Sequence, residues 1–100
     1  MSVGGLLAGI RVLDFTRVLA GPYASMVMAD LGAEVLKVEL PGKGDESREF
    51  GPFQNGESAY FTSVNRGKKS ITIDLRIEAG QELARRLAGE CDVLIENFRP

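Results

Sequence analysis

The feature that most constrains this chain is its rhythm. Short apolar runs alternate with amphipathic stretches, the signature of strand–helix–strand units and a parallel sheet. Ile10-Arg11-Val12-Leu13-Asp14-Phe15 follows Gly9 and reads as a buried strand. Thr16–Gly21 reads as a loop, and Pro22 as a first helical residue, where a missing N–H is tolerated. Ala24, Val27, Met28 and Leu31 recur at three- and four-residue spacing and predict one apolar helix face. Gly32 fits the left-handed position just past a helix. Ala33–Glu39 alternates, is rich in valine and predicts a second strand, parallel to the first through a right-handed crossover.

The rhythm breaks between Leu40 and Glu57. Pro41-Gly42-Lys43-Gly44-Asp45-Glu46-Ser47 and Gly51-Pro52-Phe53-Gln54-Asn55-Gly56 are dense in turn formers and predict a long loop. Asp45, Glu46 and Glu49 within it read as a solubilising cluster. Ala59–Asn65 suits either a short helix or a strand, with the helix favoured by Ser58 as its cap. Ser70–Leu75 alternates with period two and predicts a third strand. Ile77, Gly80, Leu83, Ala84, Leu87 and Ala88 form a second helical stripe ending at Gly89, and Cys91–Ile95 reads as a fourth strand. With only two clear crossover helices, one face of such a sheet is expected to be thinly covered.

Composition narrows the chemistry. The 100 residues make one domain at most; 44% are hydrophobic and 26% charged, as in an ordinary soluble globular chain. No stretch approaches the ~20 apolar residues of a membrane span, and Met1–Leu7 lacks the basic and apolar regions of a secretory signal. There is no histidine and a single cysteine, Cys91. That argues against a disulfide framework, most zinc sites and nucleophile–histidine pairs, and points to a reducing cytoplasm. A net charge of -2 argues against a dedicated nucleic-acid binder.

Ligands of open α/β sheets bind beyond the carboxyl ends of the strands. Thr16–Pro22 lies there, and its helix N-terminus suits an anion; a plain turn is the alternative. Asn97-Phe98-Arg99-Pro100 leaves the fourth strand and suits a nucleotide base and phosphate, or is a surface turn with an apolar anchor. Arg66-Gly67-Lys68-Lys69 could hold phosphates or be a solvated basic turn at the opposite end of its strand. Asp14 could be a catalytic or ribose-binding carboxylate, or a structural one. Glu82, Arg85, Arg86 and Glu90 read as a solvated helix face, and Cys91 as inert packing. No metal constellation is present. The residues alone thus lead to an α/β domain with nucleotide-like ligand architecture and to no particular reaction.

Five ordered blocks carry a closer resemblance. They are Gly9–Pro22, Asp30–Glu39, Pro41-Gly42-x-Gly44-Asp45, Asn65–Ile71 with Asp74-Leu75, and Asp92–Pro100. Together they resemble the start of the family III CoA-transferases, a group that includes α-methylacyl-CoA racemase by divergence. The resemblance implies a Rossmann-like, mostly parallel sheet, with residues 1–100 as the CoA-binding N-terminal segment of a larger domain. It implies acyl-CoA and a carboxylic acid as substrates, no prosthetic group, no nucleic-acid or membrane partner, and an interlocked homodimer of the full-length protein. CoA would pass from donor to acceptor through an aspartyl-CoA thioester, and the catalytic aspartate would fall outside this chain.

Among the matching positions, the resemblance implies CoA contacts at Val18, Leu19, Ala20, Leu75, Asn97 and Phe98. Several relatives have an arginine just after the Glu39 equivalent, where this chain has Leu40-Pro41; Lys68 and Lys69 are the replacement candidates for the phosphates. The first loop resembles members acting on dicarboxylates. An acyl-CoA racemase and a non-catalytic CoA- or nucleotide-binding module are the alternatives.

Overall fold

A computed structural model describes residues 5–100. The Met1–Gly4 part of the N-terminal stretch lies outside the described residues. The elements run β1 (Arg11–Asp14), α1 (Ala20–Asp30), β2 (Glu34–Glu39), a 3-10 turn (Glu46–Glu49), β3 (Phe53–Gln54), β4 (Glu57–Ser58), α2 (Ala59–Asn65), β5 (Lys69–Thr72), α3 (Glu78–Gly89) and β6 (Val93–Ile95). Four strands form one parallel sheet in the order β5-β2-β1-β6, and β3 and β4 make a separate antiparallel hairpin. The mixed α/β class and the parallel sheet are as the strand–helix rhythm predicts. Among the described residues, no helix is long and apolar enough to cross a membrane.

Strand alternation divides the core in two. Val12 and Val35 point to one face and pack with Ala29 of α1 and with Ala33. Leu13, Phe15 and Val38 point to the other, against Ala84, Leu87 and Ala88 of α3. Each face therefore carries a helix. The thin cover lies instead at the β6 edge, where Val93 and Leu94 are 37% and 51% exposed.

The predicted apolar face of α1 is largely out of phase, with Met28 alone of its four residues packing against the core. Pro22, Ser25, Met26 and Ala29 are the buried residues, while Ala24 and Val27 face outward and Leu31 is 37% exposed. Close approach to the sheet selects the small Ala29, and a buried carboxylate selects Ser25, so size and polarity override hydrophobic spacing. Leu19, Tyr23, Val27 and Leu31 are left as an exposed stripe at four-residue intervals. The helix also begins two residues before Pro22, which is still within the turn whose N–H groups lack intrahelical partners. Gly32 takes φ +106°, the left-handed conformation expected of it.

The predicted structureless loop contains the 3-10 turn and the hairpin. Asn55 and Gly56 both have positive φ, as a two-residue type I′ turn requires. Ser58 caps α2 by accepting from the Phe61 amide at 3.1 Å, which settles Ala59–Asn65 as helix.

Candidate functional site

The segments leaving β1, β2, β5 and β6 converge at the carboxyl edge of the sheet. They enclose a cleft of about 330 Å³. Its apolar walls are Phe15, Leu40, Leu75 and Phe98, with Arg17, Lys37, Glu39 and Asp45 also at its boundary. Phe15 and Phe98 tilt together with ring centroids 6.0 Å apart. Leu75 and Phe98, singled out in the sequence, thus meet across one cavity although they follow different strands.

The β1–α1 loop beside this cleft is held one peptide at a time. Asp14 Oδ1 accepts from the Thr16 amide at 2.8 Å and from its hydroxyl at 2.5 Å. Lys37 Nζ donates to the Thr16 carbonyl at 2.9 Å. Asn97 takes both sides of Arg17: its Oδ1 accepts from the Arg17 amide at 3.2 Å, and its Nδ2 donates to the Arg17 carbonyl at 3.0 Å. The Val18 amide points at both oxygens of Asp45, 3.4 and 3.3 Å away. Val18 itself has φ +76°, a conformation that β-branched residues rarely adopt. Leu19 and Ala20 then stand exposed at the start of α1, where no side chain caps the first turn.

Beneath the loop lies a buried ionic layer. Lys37 Nζ meets Asp45 Oδ2 at 2.9 Å, with side chains 2% and 0% exposed. Asp45 also accepts from the Ser47 amide at 2.9 Å and its hydroxyl at 2.8 Å. Burial alone would raise the Asp45 carboxyl, but the bonds from Lys37 and Ser47 hold it below the usual range. Burial likewise opposes ionisation of Glu39, yet Arg48, Ser70 and the Asp45 amide hold its carboxyl down to about 2. Arg48 grips Glu39 as a fork, at 2.8 and 2.7 Å, and its guanidinium lies 3.9 Å from the Phe61 ring centroid. No buried side-chain nitrogen or oxygen lacks a partner among the described residues.

Two further placements differ from the sequence expectations. Asp45 is fully buried, so only Glu46 and Glu49 of the acidic cluster face solvent. Lys68 precedes β5 at its amino end, as expected, but it is no solvated turn residue, for its side chain is 2% exposed. β5 enters in register with Leu36, halfway along β2, so Lys68 lies near mid-sheet. Its Nζ reaches Asp14 Oδ2 at 3.2 Å, Asn65 Oδ1 at 2.8 Å and the Pro22 carbonyl at 3.0 Å. Burial pushes this amine down to about 8, against the attraction of Asp14. Lys69 instead lies on the surface, paired with Glu34 at 3.1 Å. Asp14 is held by Thr16, Ser25 and Lys68, which is the structural role among its candidates.

Sequence reasoning missed Lys37 as an organiser. The signal was present: alternation in Glu34–Glu39 puts Lys37 on the Val35 face of an inner strand. A charge there requires a buried partner.

Comparison with known proteins follows the same lines. Residues 7–100 match the model of CoA-transferase family III, and the chain belongs to that family. It is 56% identical to succinyl-CoA:glutarate CoA-transferase of Mus musculus, over 94% of this chain and 22% of that protein. It is 46% identical to formyl-CoA:oxalate CoA-transferase of Bradyrhizobium diazoefficiens, again over 94% of this chain and 22% of that protein. A CAIB/BAIF family protein from Brucella suis superposes with a TM-score of 0.87 at 49% identity, covering 94% of this chain and 26% of that one. The chain therefore spans about a quarter of the length of the relatives it matches.

Proposed function

We propose that this chain binds the CoA portion of an acyl-CoA along the carboxyl edge of its sheet. It would do so as part of an enzyme that moves CoA from an acyl-CoA donor to a carboxylic acid. The observation that carries this reading is the cleft between Phe15, Leu40, Leu75 and Phe98, with Arg17 at its boundary. Flat and branched apolar walls suit an adenine ring, and a guanidinium beside them suits phosphate. The adjacent first turn of α1 offers uncapped amides, which favour an anion. The order β5-β2-β1-β6 fits half of a Rossmann-like sheet, in which ligands sit at this edge.

On this reading Val18, Leu19 and Ala20 run along the pantetheine–phosphate path, and Leu75 and Phe98 flank the adenosine. Asn97 acts chiefly by setting the loop, since two of its polar positions already serve the Arg17 backbone. The chemical step is nucleophilic catalysis by an aspartate outside this chain, through an aspartyl-CoA thioester. The names of the relatives support dicarboxylates such as succinate or glutarate as the acids exchanged. The proposed setting is a cytoplasmic homodimer. Calorimetric titration of the full-length protein with CoA tests the binding. Mass spectrometry of a mixture of succinyl-CoA, glutarate and the protein tests the transfer. Binding with appearance of glutaryl-CoA is expected; a folded protein that does not bind CoA would sink the reading.

A further inference from the structure

We infer that Asp45, itself fixed by Lys37, is a positioning residue that locks Val18 in its left-handed conformation and so sets the shape of the CoA-facing loop. The inference rests on the proposed CoA site and goes beyond it, because Asp45 acts through the backbone of Val18. Three observations carry it. Val18 has φ +76°, and such strain persists only where surrounding structure over-determines it. Its amide is aimed at the Asp45 carboxylate, 27 positions away in sequence, at 3.3 and 3.4 Å. The same carboxylate is tied to the sheet by Lys37, whose ammonium also holds the Thr16 carbonyl at 2.9 Å.

The long segment after β2 thereby acquires a purpose. The Asp45 amide bonds Glu39 at 2.9 Å and the Asp45 carboxylate caps the 3-10 turn through Ser47, so its position is determined from both sides. It holds the loop on one side as Asn97 does on the other. Relaxing Val18 to negative φ would turn the Val18 amide and redirect the chain entering α1, moving Leu19 and Ala20.

A double-mutant cycle in the full-length protein tests this, with CoA as titrant. Lys37→Met and Asp45→Leu are introduced together, because leucine offers no acceptor to the Val18 amide and removing both partners of a buried ion pair leaves no stranded charge. The pair variant should lose about tenfold in CoA affinity when residue 18 is valine. In the Val18→Gly background the same pair should cost less than about twofold, because glycine adopts positive φ without help. Equal losses in both backgrounds, or no loss in either, would overturn the role of Asp45. A parent protein that does not bind CoA would instead overturn the site on which the role depends. Should the pair variant not fold, hydrogen exchange in the parent decides. The Val18 amide should be protected at least about a hundredfold over an open loop, and free exchange there overturns the inference.

Discussion

Asn97 is bonded to Arg17 on both sides of the backbone, accepting from its amide and donating to its carbonyl across 80 positions of sequence. The first strand's exit is thereby stitched to the last strand's exit at the edge where the cleft opens. Both bonds are partly solvated, so each contributes about 1 kcal/mol or less.

Asn97→Ala should therefore loosen the β1–α1 loop without unfolding the chain. CoA affinity should drop roughly five- to tenfold, by about 1 kcal/mol or slightly more. The drop should be the same for every acyl-CoA donor, because what is lost is uniform binding of the CoA part. Titration with two or more acyl-CoAs checks this. A change of donor preference at constant CoA affinity would show that Asn97 faces the acyl group instead.

Gly80 sits in the first turn of α3, and a Cβ there would run into the Asp74 carbonyl. Two effects oppose each other in Gly80→Ala. Helix propensity favours alanine by up to about 1 kcal/mol. Forcing α3 away from the Asp74 backbone costs about 1–3 kcal/mol, because backbone cannot swing aside as a side chain can. The clash should win, and the variant should unfold at lower urea than the parent. Equal or greater stability would mean that α3 seats less tightly on Asp74 than the structure shows.

Lys68 and Asp14 form the second buried ion pair, with side chains 2% and 0% exposed. Lys68→Met strands a carboxylate that keeps only its Thr16 and Ser25 bonds. The expected loss is about 3 kcal/mol, the lower end for a broken buried pair, because those hydroxyl and amide donors remain. Adding Asp14→Asn should recover most of it. Urea midpoints of the parent, the single variant and the double variant decide the matter. A single variant as stable as the parent would show that the pair contributes nothing.

How much of this was legible beforehand differs by element. β1 and β2 follow from apolar runs, because burial selects their residues; α3 follows in course only, since Ile77 and Leu83 of its predicted stripe are 53% and 42% exposed. The phase of α1 does not, since Ser25 is inside for its bond to Asp14 and Ala29 for its size. The β3–β4 hairpin was masked by the surrounding glycines and prolines, although Asn55-Gly56 is a strong turn signal. At the cleft, the resemblance singled out Leu75 and Phe98, and the two line one cavity because the exits of parallel strands lie together. The grip of Asp45 on Val18 was not legible, because a contact across 27 positions leaves no trace in either local pattern.

Glu39 supplies a prediction in pH. Burial works against its ionisation, but Arg48, Ser70 and the Asp45 amide hold the folded carboxyl down to about 2, against an ordinary value of 4.5. A depressed carboxyl contributes stability that is fully present above the unfolded value and is lost as pH falls through the folded one. The window thus runs from just above pH 4.5 down to about 2. The displacement corresponds to about 3 kcal/mol when complete. Glu39→Gln should therefore be less stable than the parent by roughly that amount near neutrality. Arg48 can turn to solvent in this variant, because its side chain is 43% exposed. The gap between the two proteins should narrow steadily from about pH 5 to about pH 2.5. Asp45 also titrates with a lowered pKa, but it is common to both proteins and largely cancels in the difference. Urea midpoints along this pH series make the measurement, and a gap that stays constant into the acid range would show that Glu39 does not stabilise the fold as a carboxylate.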